Sequence, residues 1–183
     1  MRDQYRSLYE GFRWLVPREF NIAEVCCRRW SQERSRIALH YEDENGAPAS
    51  YTYAALQADA NRLSNALRSL GVQRGDRVAI VLPQSPETAV AHVAIYQMGA
   101  VAMPLSLLFG PDALEYRLQN SETVVAIVDA SALPAIASIR ASCPALRHLI
   151  VVGAAAGEED GARGRSDDPS RPEGPVAVKE RAA

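Results

Sequence analysis

Lysine is almost missing from this chain: of its 20 basic residues only Lys179 is not arginine. Chemistry that relies on a lysine to hold a phosphate or a transferred group therefore has one residue to draw on. Cysteine is scarce as well. Cys26 and Cys27 are adjacent and Cys143 is far from both, a pattern that fits neither a disulfide framework nor a Cys-x-x-Cys metal site and leaves buried or idle thiols. An excess of charge is also lacking. A net charge of -2 over 183 residues offers no field to collect nucleic acid or anionic lipid. Long hydrophobic runs are absent too, because Gly, Ser or Pro breaks each one well short of a membrane span. The stretch Met1-Arg2-Asp3-Gln4-Tyr5-Arg6 has no apolar core of a secretory leader, so a cytoplasmic protein with neither membrane nor nucleic-acid partners is expected. Aromatic residues make up only 7%, yet 48% of the chain is apolar, enough for one soluble domain with its own core.

The chain does contain a regular alternation. From about residue 36 to residue 152, strand-like runs alternate with helical patterns, which predicts an α/β domain with a mainly parallel sheet and flanking helices. Arg36 to Tyr41 reads as a short strand leading to Asn45-Gly46, a dipeptide suited to tight hairpin turns, with Ser50 to Tyr53 as the return strand. Leu56, Ala60, Leu63, Leu67 and Leu70 recur at steps of four and three, so they share one helix face, and Gly71 closes that helix. Thr52 is placed to cap it, although Ala55 stands where an acid would complete a capping box. Arg77 to Leu82 reads as a buried strand entered through the Gly75-Asp76 turn. Ser85-Pro86-Glu87 then starts a helix that Gly99 ends, with proline at the first position and an acid near the positive dipole end. Gly110-Pro111-Asp112 repeats the start signal, and Leu114 with Leu118 predicts a helix over 111–120. A strand from Val124 to Val128, a helix from Ala132 to Ala141 with Pro134 in its first turn, and a last strand from His148 to Val152 follow.

Residues that carry chemistry elsewhere are isolated here. His92 has no acid or second histidine four residues away, so a satisfied or core-facing imidazole is expected, and the same holds for His40 and His148. Asp129 falls at the carboxyl edge of the predicted sheet, where open α/β sheets bind ligands, but an acid there also caps the helix beginning near Ser131. Arg28, Arg29, Arg34 and Arg36, interleaved with Glu24 and Glu33, read as a mixed-sign surface helix. From Gly153 to Ala183 there is no Leu, Ile or aromatic residue, and such a segment is expected to be disordered. Its Gly161-Ala162-Arg163-Gly164 run lacks the flanking strand and helix of a phosphate loop.

Five groups of residues in register carry a family resemblance. They are Tyr51-Thr52-Tyr53-Ala54-Ala55-Leu56, Leu70-Gly71-Val72, Gly75-Asp76-Arg77-Val78-Ala79-Ile80, Gly99-Ala100-Val101 with Pro104-Leu105, and Glu115-Tyr116-Arg117-Leu118. In this order the chain resembles the N-terminal subdomain of AMP-forming acyl-CoA synthetases, within the adenylate-forming superfamily. Phe20-Asn21-Ile22-Ala23-Glu24 and Leu107-Leu108-Phe109-Gly110-Pro111-Asp112-Ala113-Leu114 are more similar to the medium-chain and benzoate-like branch.

That resemblance implies ligation of a carboxylic acid to CoA through an acyl-adenylate, using ATP and Mg²⁺. Such chemistry needs donors for the phosphates, a metal to offset charge and a cation at the reacting centre. The family's Ser/Thr/Gly-rich phosphate loop, ribose-binding acid and C-terminal lysine have no counterpart in these residues, so no catalytic or metal residue is assigned and no cofactor is expected to bind this chain alone. The one carried-over site is Phe109 with Gly110, matching a loop that walls the family's pantetheine channel; the same residues also read simply as core and helix start. The arginines that some relatives offer to the CoA phosphates are absent after Asp129.

The expected organisation is a lead-in over 1–19, an incomplete synthetase subdomain over 20–152, and a tail over 153–183 whose Arg, Gly and Pro content suits a shifted reading frame in GC-rich DNA. The expected function is that of an inactive fragment of an acid:CoA ligase; the alternative is a non-catalytic binding or assembly module acting with a separate chain. An exposed apolar sheet face and an open strand edge are further expected to favour self-association or pairing with a complementary chain.

Overall fold

The computed structural model describes residues 4–43 and 45–153. Six helices and six strands follow in the order α1 (Tyr5–Gly11), α2 (Ile22–Cys26), β1 (Ile37–Glu42), β2 (Pro48–Thr52), α3 (Tyr53–Ser69), β3 (Arg77–Val81), α4 (Pro86–Gln97), β4 (Val101–Pro104), α5 (Pro111–Asn120), β5 (Val125–Asp129), α6 (Leu133–Ile139) and β6 (His148–Val152). Four strands form a parallel sheet in the order β4-β3-β5-β6, while β1 and β2 form a separate antiparallel hairpin. The predicted α/β class with a parallel sheet and flanking helices is the observed one. The expected tail, the Gly161–Gly164 run and Lys179 lie outside the described residues.

Because side chains alternate along a strand, each strand feeds both faces of the sheet. On one face Val78, Ile80, Val125, Ile127 and Ile150 pack under Leu56, Ala60, Leu63 and Leu67 of α3 and Val90, Ala94 and Ile95 of α4. On the other, Ala79, Val81, Ala126 and Val128 pack under Leu114 and Leu118 of α5 and Ile136 and Ile139 of α6. Each fully buried Leu or Ile contributes about 1.5–3 kcal/mol, so these two layers dominate the stability. The expectation of a bare sheet face is therefore corrected: helices cover both faces. The large exposed apolar side chains are concentrated instead before residue 23, at Tyr5, Leu8, Tyr9, Phe12, Trp14, Leu15, Val16, Phe20 and Ile22.

Three helices end in the same way. Gly71 (φ 80°) follows α3, and the amides of Gly71 and Val72 return to the carbonyls of Arg68 and Leu67. Gly99 (φ 72°) follows α4, with Gly99 and Ala100 returning to Tyr96 and Ile95. After α5 the left-handed position is held by Glu122 (φ 49°), with Glu122 and Thr123 returning to Gln119 and Leu118. Each pair is a Schellman arrangement that satisfies the last helical carbonyls. At the other end of α3, Thr52 Oγ1 accepts from the Ala55 amide at 3.1 Å, the predicted cap.

Several local expectations change. The β1–β2 connection is a five-residue loop over 43–47, not a two-residue Asn-Gly turn: Glu42 pairs with Pro48, and Asp43 Oδ1 accepts from the amides of Asn45 (2.9 Å) and Ala47 (2.8 Å). The hydrogen bond from the Ala47 amide is the largest cause of the Asp43 carboxyl lying below its usual pKa, and it outweighs desolvation, which acts the other way. The arginines at 28–36 do not share a helix. Arg28 and Arg29 sit in a 3₁₀ turn, and Arg29 and Arg36 flank the Trp30 indole at 4.3 and 4.0 Å from its centre. Strand β4 is an addition that periodicity does not reveal, since four residues containing Met and Pro carry too little pattern. The predicted 132–141 helix is shorter, Leu133–Ile139, with 3₁₀ turns at both ends.

Candidate functional site

The parallel sheet has a point where connections leave in opposite directions. From β3 the chain passes through α4 to β4 on one side, and from β5 through α6 to β6 on the other. Open α/β sheets bind ligands outside the carboxyl ends of strands flanking such a point. A cleft of about 740 Å³, within the size range of small-molecule sites, lies to one side of this point, at the carboxyl ends of β3 and β4, and takes no lining residue from β5. Its floor is Ile80, Leu82 and Pro83 from β3 and the following loop, and one wall is Leu39, His40 and Tyr41 of β1. Ser85, Thr88 and His92 from α4 form a second wall, and Pro104 to Leu107 a third.

No Asp, Glu, Lys or Arg lines this cleft. Three of its polar side chains already have partners within the fold. Thr88 Oγ1 donates to the Pro83 carbonyl at 2.6 Å, and His40 Nδ1 shares a hydrogen bond with Ser50 Oγ at 3.0 Å. His92 Nδ1 lies 3.0 Å from the Tyr96 hydroxyl, one helical turn away, and burial lowers the imidazole pKa. His92 is thus the satisfied histidine that the sequence predicts, with tyrosine as its partner. The walls suit an apolar group, and the serine beside a histidine, Ser50 against His40, stands outside the lining. Sequence reasoning did not find the cleft, because its lining comes from three separate segments, 39–41, 80–92 and 104–107.

Phe109 and Gly110 stand outside the lining of the cleft. Phe109 is half-buried against the α5–α6 side of the sheet with the Arg117 guanidinium 4.2 Å from its ring centre, and Gly110 is the exposed N-cap of α5. A Cβ built on Gly110 meets nothing within 4 Å. The loop before them, Leu105 to Leu107, is the third wall of the cleft. Asp129 caps the turn after β5, its Oδ1 accepting from the Ser131 amide at 2.9 Å. His148 is half-buried at the start of β6, opposite Val125. Cys26 is exposed while Cys27 and Cys143 are buried; burial, with Cys26 adjacent, pushes the Cys27 thiol up to about 11. Among the described residues no group of three His, Cys, Asp or Glu side chains is placed to hold a metal ion.

The five groups of residues behind the resemblance are largely fold-building in place. Gly75 (φ 86°) donates its amide to the Gly99 carbonyl at 3.0 Å, and Asp76 Oδ2 accepts from the Gln73 amide at 2.9 Å. Arg77 Nε donates to the Ser121 carbonyl, and its Nη2 meets Glu122 Oε2 at 2.9 Å, so the arginine fastens the α5–β5 turn to the start of β3.

Comparison with known proteins follows from this geometry. Residues 27–182 match the family model described as AMP-binding enzyme. The acetyl-coenzyme A synthetase of Streptomyces coelicolor is 38% identical over 117 residues, covering 63% of this chain and 18% of that protein. The acetyl-coenzyme A synthetase of Nostoc linckia is 34% identical over 153 residues, covering 77% of this chain and 45% of that protein. Among solved structures, acetoacetyl-CoA synthetase from Streptomyces lividans superposes with a TM-score of 0.72 at 30% identity, over 81% of this chain and 24% of that one. The anthranilate CoA ligase AuaEII, in complex with anthranoyl-AMP, gives a TM-score of 0.65 at 28% identity, over 75% of this chain and 26% of that one. This chain thus spans between 18% and 45% of the length of the two curated relatives.

Proposed function

Since the chain belongs to the AMP-binding enzyme family, we propose that it is the N-terminal subdomain of an ATP-dependent acid:CoA ligase that forms an acyl-adenylate and then an acyl-CoA. The observation that carries this reading is the family match over 27–182, joined to a fold shared with CoA ligases at 28% and 30% identity. The substrate class is a medium-chain or aromatic carboxylic acid, supported by the Phe20–Glu24 and Leu107–Leu114 sequences and by the likeness to an anthranilate ligase.

The 183-residue chain does not complete the reaction alone. Its one lysine is Lys179, and the cleft offers no charged group to a triphosphate. Among the described residues no group of carboxylates is placed to hold Mg²⁺. Phe109 and Gly110 contribute to the wall of the pantetheine channel, a role that leaves their packing unchanged, because Gly110 faces open space.

Acid-dependent ATP–pyrophosphate exchange, assayed on the purified chain with octanoate, benzoate and acetate, is expected to be absent. Exchange above background would overturn the incomplete-site reading. Sequencing the encoding DNA through and beyond the codon for Ala183 decides what the tail is. The Arg-, Gly- and Pro-rich composition supports a shifted frame, while the family match running to residue 182 favours an uninterrupted one. If another frame continues into a Ser/Thr/Gly-rich loop with lysine, the restored enzyme should ligate octanoate or benzoate to CoA; turnover of acetate alone would refute the branch assignment. In that enzyme Gly110→Leu should raise KM for CoA severalfold and leave pyrophosphate exchange intact. An unchanged KM would remove Gly110 from the channel. The second reading, a non-catalytic module completed by a separate chain, rests on the same missing groups and requires thioester formation to appear only when that chain is added.

A further inference from the structure

We infer that the cleft at the carboxyl ends of β3 and β4 holds the unbranched alkyl tail of an amphiphile whose head group stays in water, and that the protein binds it without ATP or CoA. Helix α4 has two working faces. Val90, Ala91, Ala94 and Ile95 are buried in the fold, whereas Ser85, Thr88, Ala89 and His92 line the cleft. Their spacing of i, i+3, i+4 and i+7 is that of one helix stripe, so they form a continuous wall about 10 Å long at 1.5 Å per residue. Ile80 and Leu82 close the floor at 2% and 7% exposed, and Leu39, Leu105 and Leu107 complete the apolar lining.

The charge-free lining selects the ligand. A phosphate or carboxylate drawn into the cleft would lose its water with no Lys or Arg to replace it, so a nucleotide or a charged head group is kept out of the interior. The polar side chains of the stripe do not attract charge. Thr88 Oγ1 is engaged by the Pro83 carbonyl, and burial lowers the pKa of the His92 imidazole, which holds the ring neutral at neutral pH. The amino end of α4 is different. Gln84 is exposed, and the half-buried Ser85 makes no side-chain cap to the helix it precedes. That leaves a hydroxyl for a head group at the water-facing end of the stripe, while the tail covers Ile80, Leu82 and the leucines of the loop. Each methylene removed from water strengthens such binding about fourfold.

Titration of the isotope-labelled full chain with octanoate, followed through its amide chemical shifts, tests this. Saturable shifts are expected at 39–41, 85–92 and 105–107. Octanol should bind within about threefold of octanoate because the head group stays outside, and hexanoate about tenfold more weakly for its two lost methylenes. Ala89→Phe should abolish the shifts by filling the cleft. Because Ala89 also packs on the core, Ser85→Trp, which obstructs the water-facing end, is the second variant and should weaken binding at least tenfold with an unchanged circular dichroism spectrum. The absence of saturable shifts, shifts confined to the exposed residues 5–20, or full binding by both variants would each overturn the proposal. Displacement of octanoate by AMP, or binding of octanoate but not octanol, would assign the cleft to a charged ligand and overturn it as well. The ligase reading is decided separately, by turnover of the restored enzyme, so either can fail without the other.

Discussion

Glu122 is the residue where local conformation and chain chemistry disagree most. Its φ of 49° places a side-chain-bearing residue in the left-handed position that Gly71 and Gly99 hold after the other two long helices. That conformation costs an L-residue roughly 1–2 kcal/mol, against about 0.5–1 kcal/mol for the extra chain entropy of glycine. Arg77 offers partial compensation, but its carboxylate partner is 77% exposed and the pair contributes little. The arginine also holds the carbonyls of Ser121 and Glu122, which a substitution at 122 keeps. Glu122→Gly should therefore stabilise the fold by about 0.5 kcal/mol, raising Tm by one or two degrees. Glu122→Val should lower stability by more than about 1 kcal/mol, because a β-branched side chain is worse still at positive φ. Thermal melts of the two variants decide it; a valine variant at least as stable as the glycine one would refute this account of the turn.

At the scale of elements, the joint between α2 and α4 was the hardest feature to read from sequence. Asn21 Oδ1 accepts from the amides of Ala23 (2.9 Å) and Glu24 (3.4 Å), and Nδ2 donates to the Tyr96 carbonyl at the end of α4 (3.0 Å). One amide thus caps the start of one helix and the end of another, 75 residues apart. A periodicity argument sees neither, since α2 has five residues and its partner is distant. By contrast α3, α5, β3 and β6 were legible almost to the residue, because their caps, glycine stops and apolar spacing are all local. Strand β4 and the cleft were not, for they exist only after the sheet brings separate segments together. Asn21→Ala removes a cap worth about 1 kcal/mol and the tie to the Tyr96 carbonyl, which keeps its Gly99 amide donor, so a loss of about 1–2 kcal/mol is expected in urea unfolding. Asn21→Asp, which keeps the acceptor and loses the donor, should fall between the two. Equal stability of wild type and alanine variant would show that the joint contributes nothing.

For the whole molecule, what was legible is what builds the fold. Thr52, Gly71, Gly75, Asp76, Arg77 and Gly99 identify the family, yet each works as a cap, a turn or a tie between elements. That division explains why the family could be read from these residues while the acid it acts on could not: they shape a scaffold common to many substrates. The body they build has two apolar layers, one on each face of the sheet, and neither includes any residue before Cys27 among its buried members. The described residues before Asn21 therefore add nothing to the two buried layers. Removing residues 1–18 should leave Tm within about two degrees of the full chain. A truncated chain that melts more than about two degrees lower would place residues 1–18 in the folding unit.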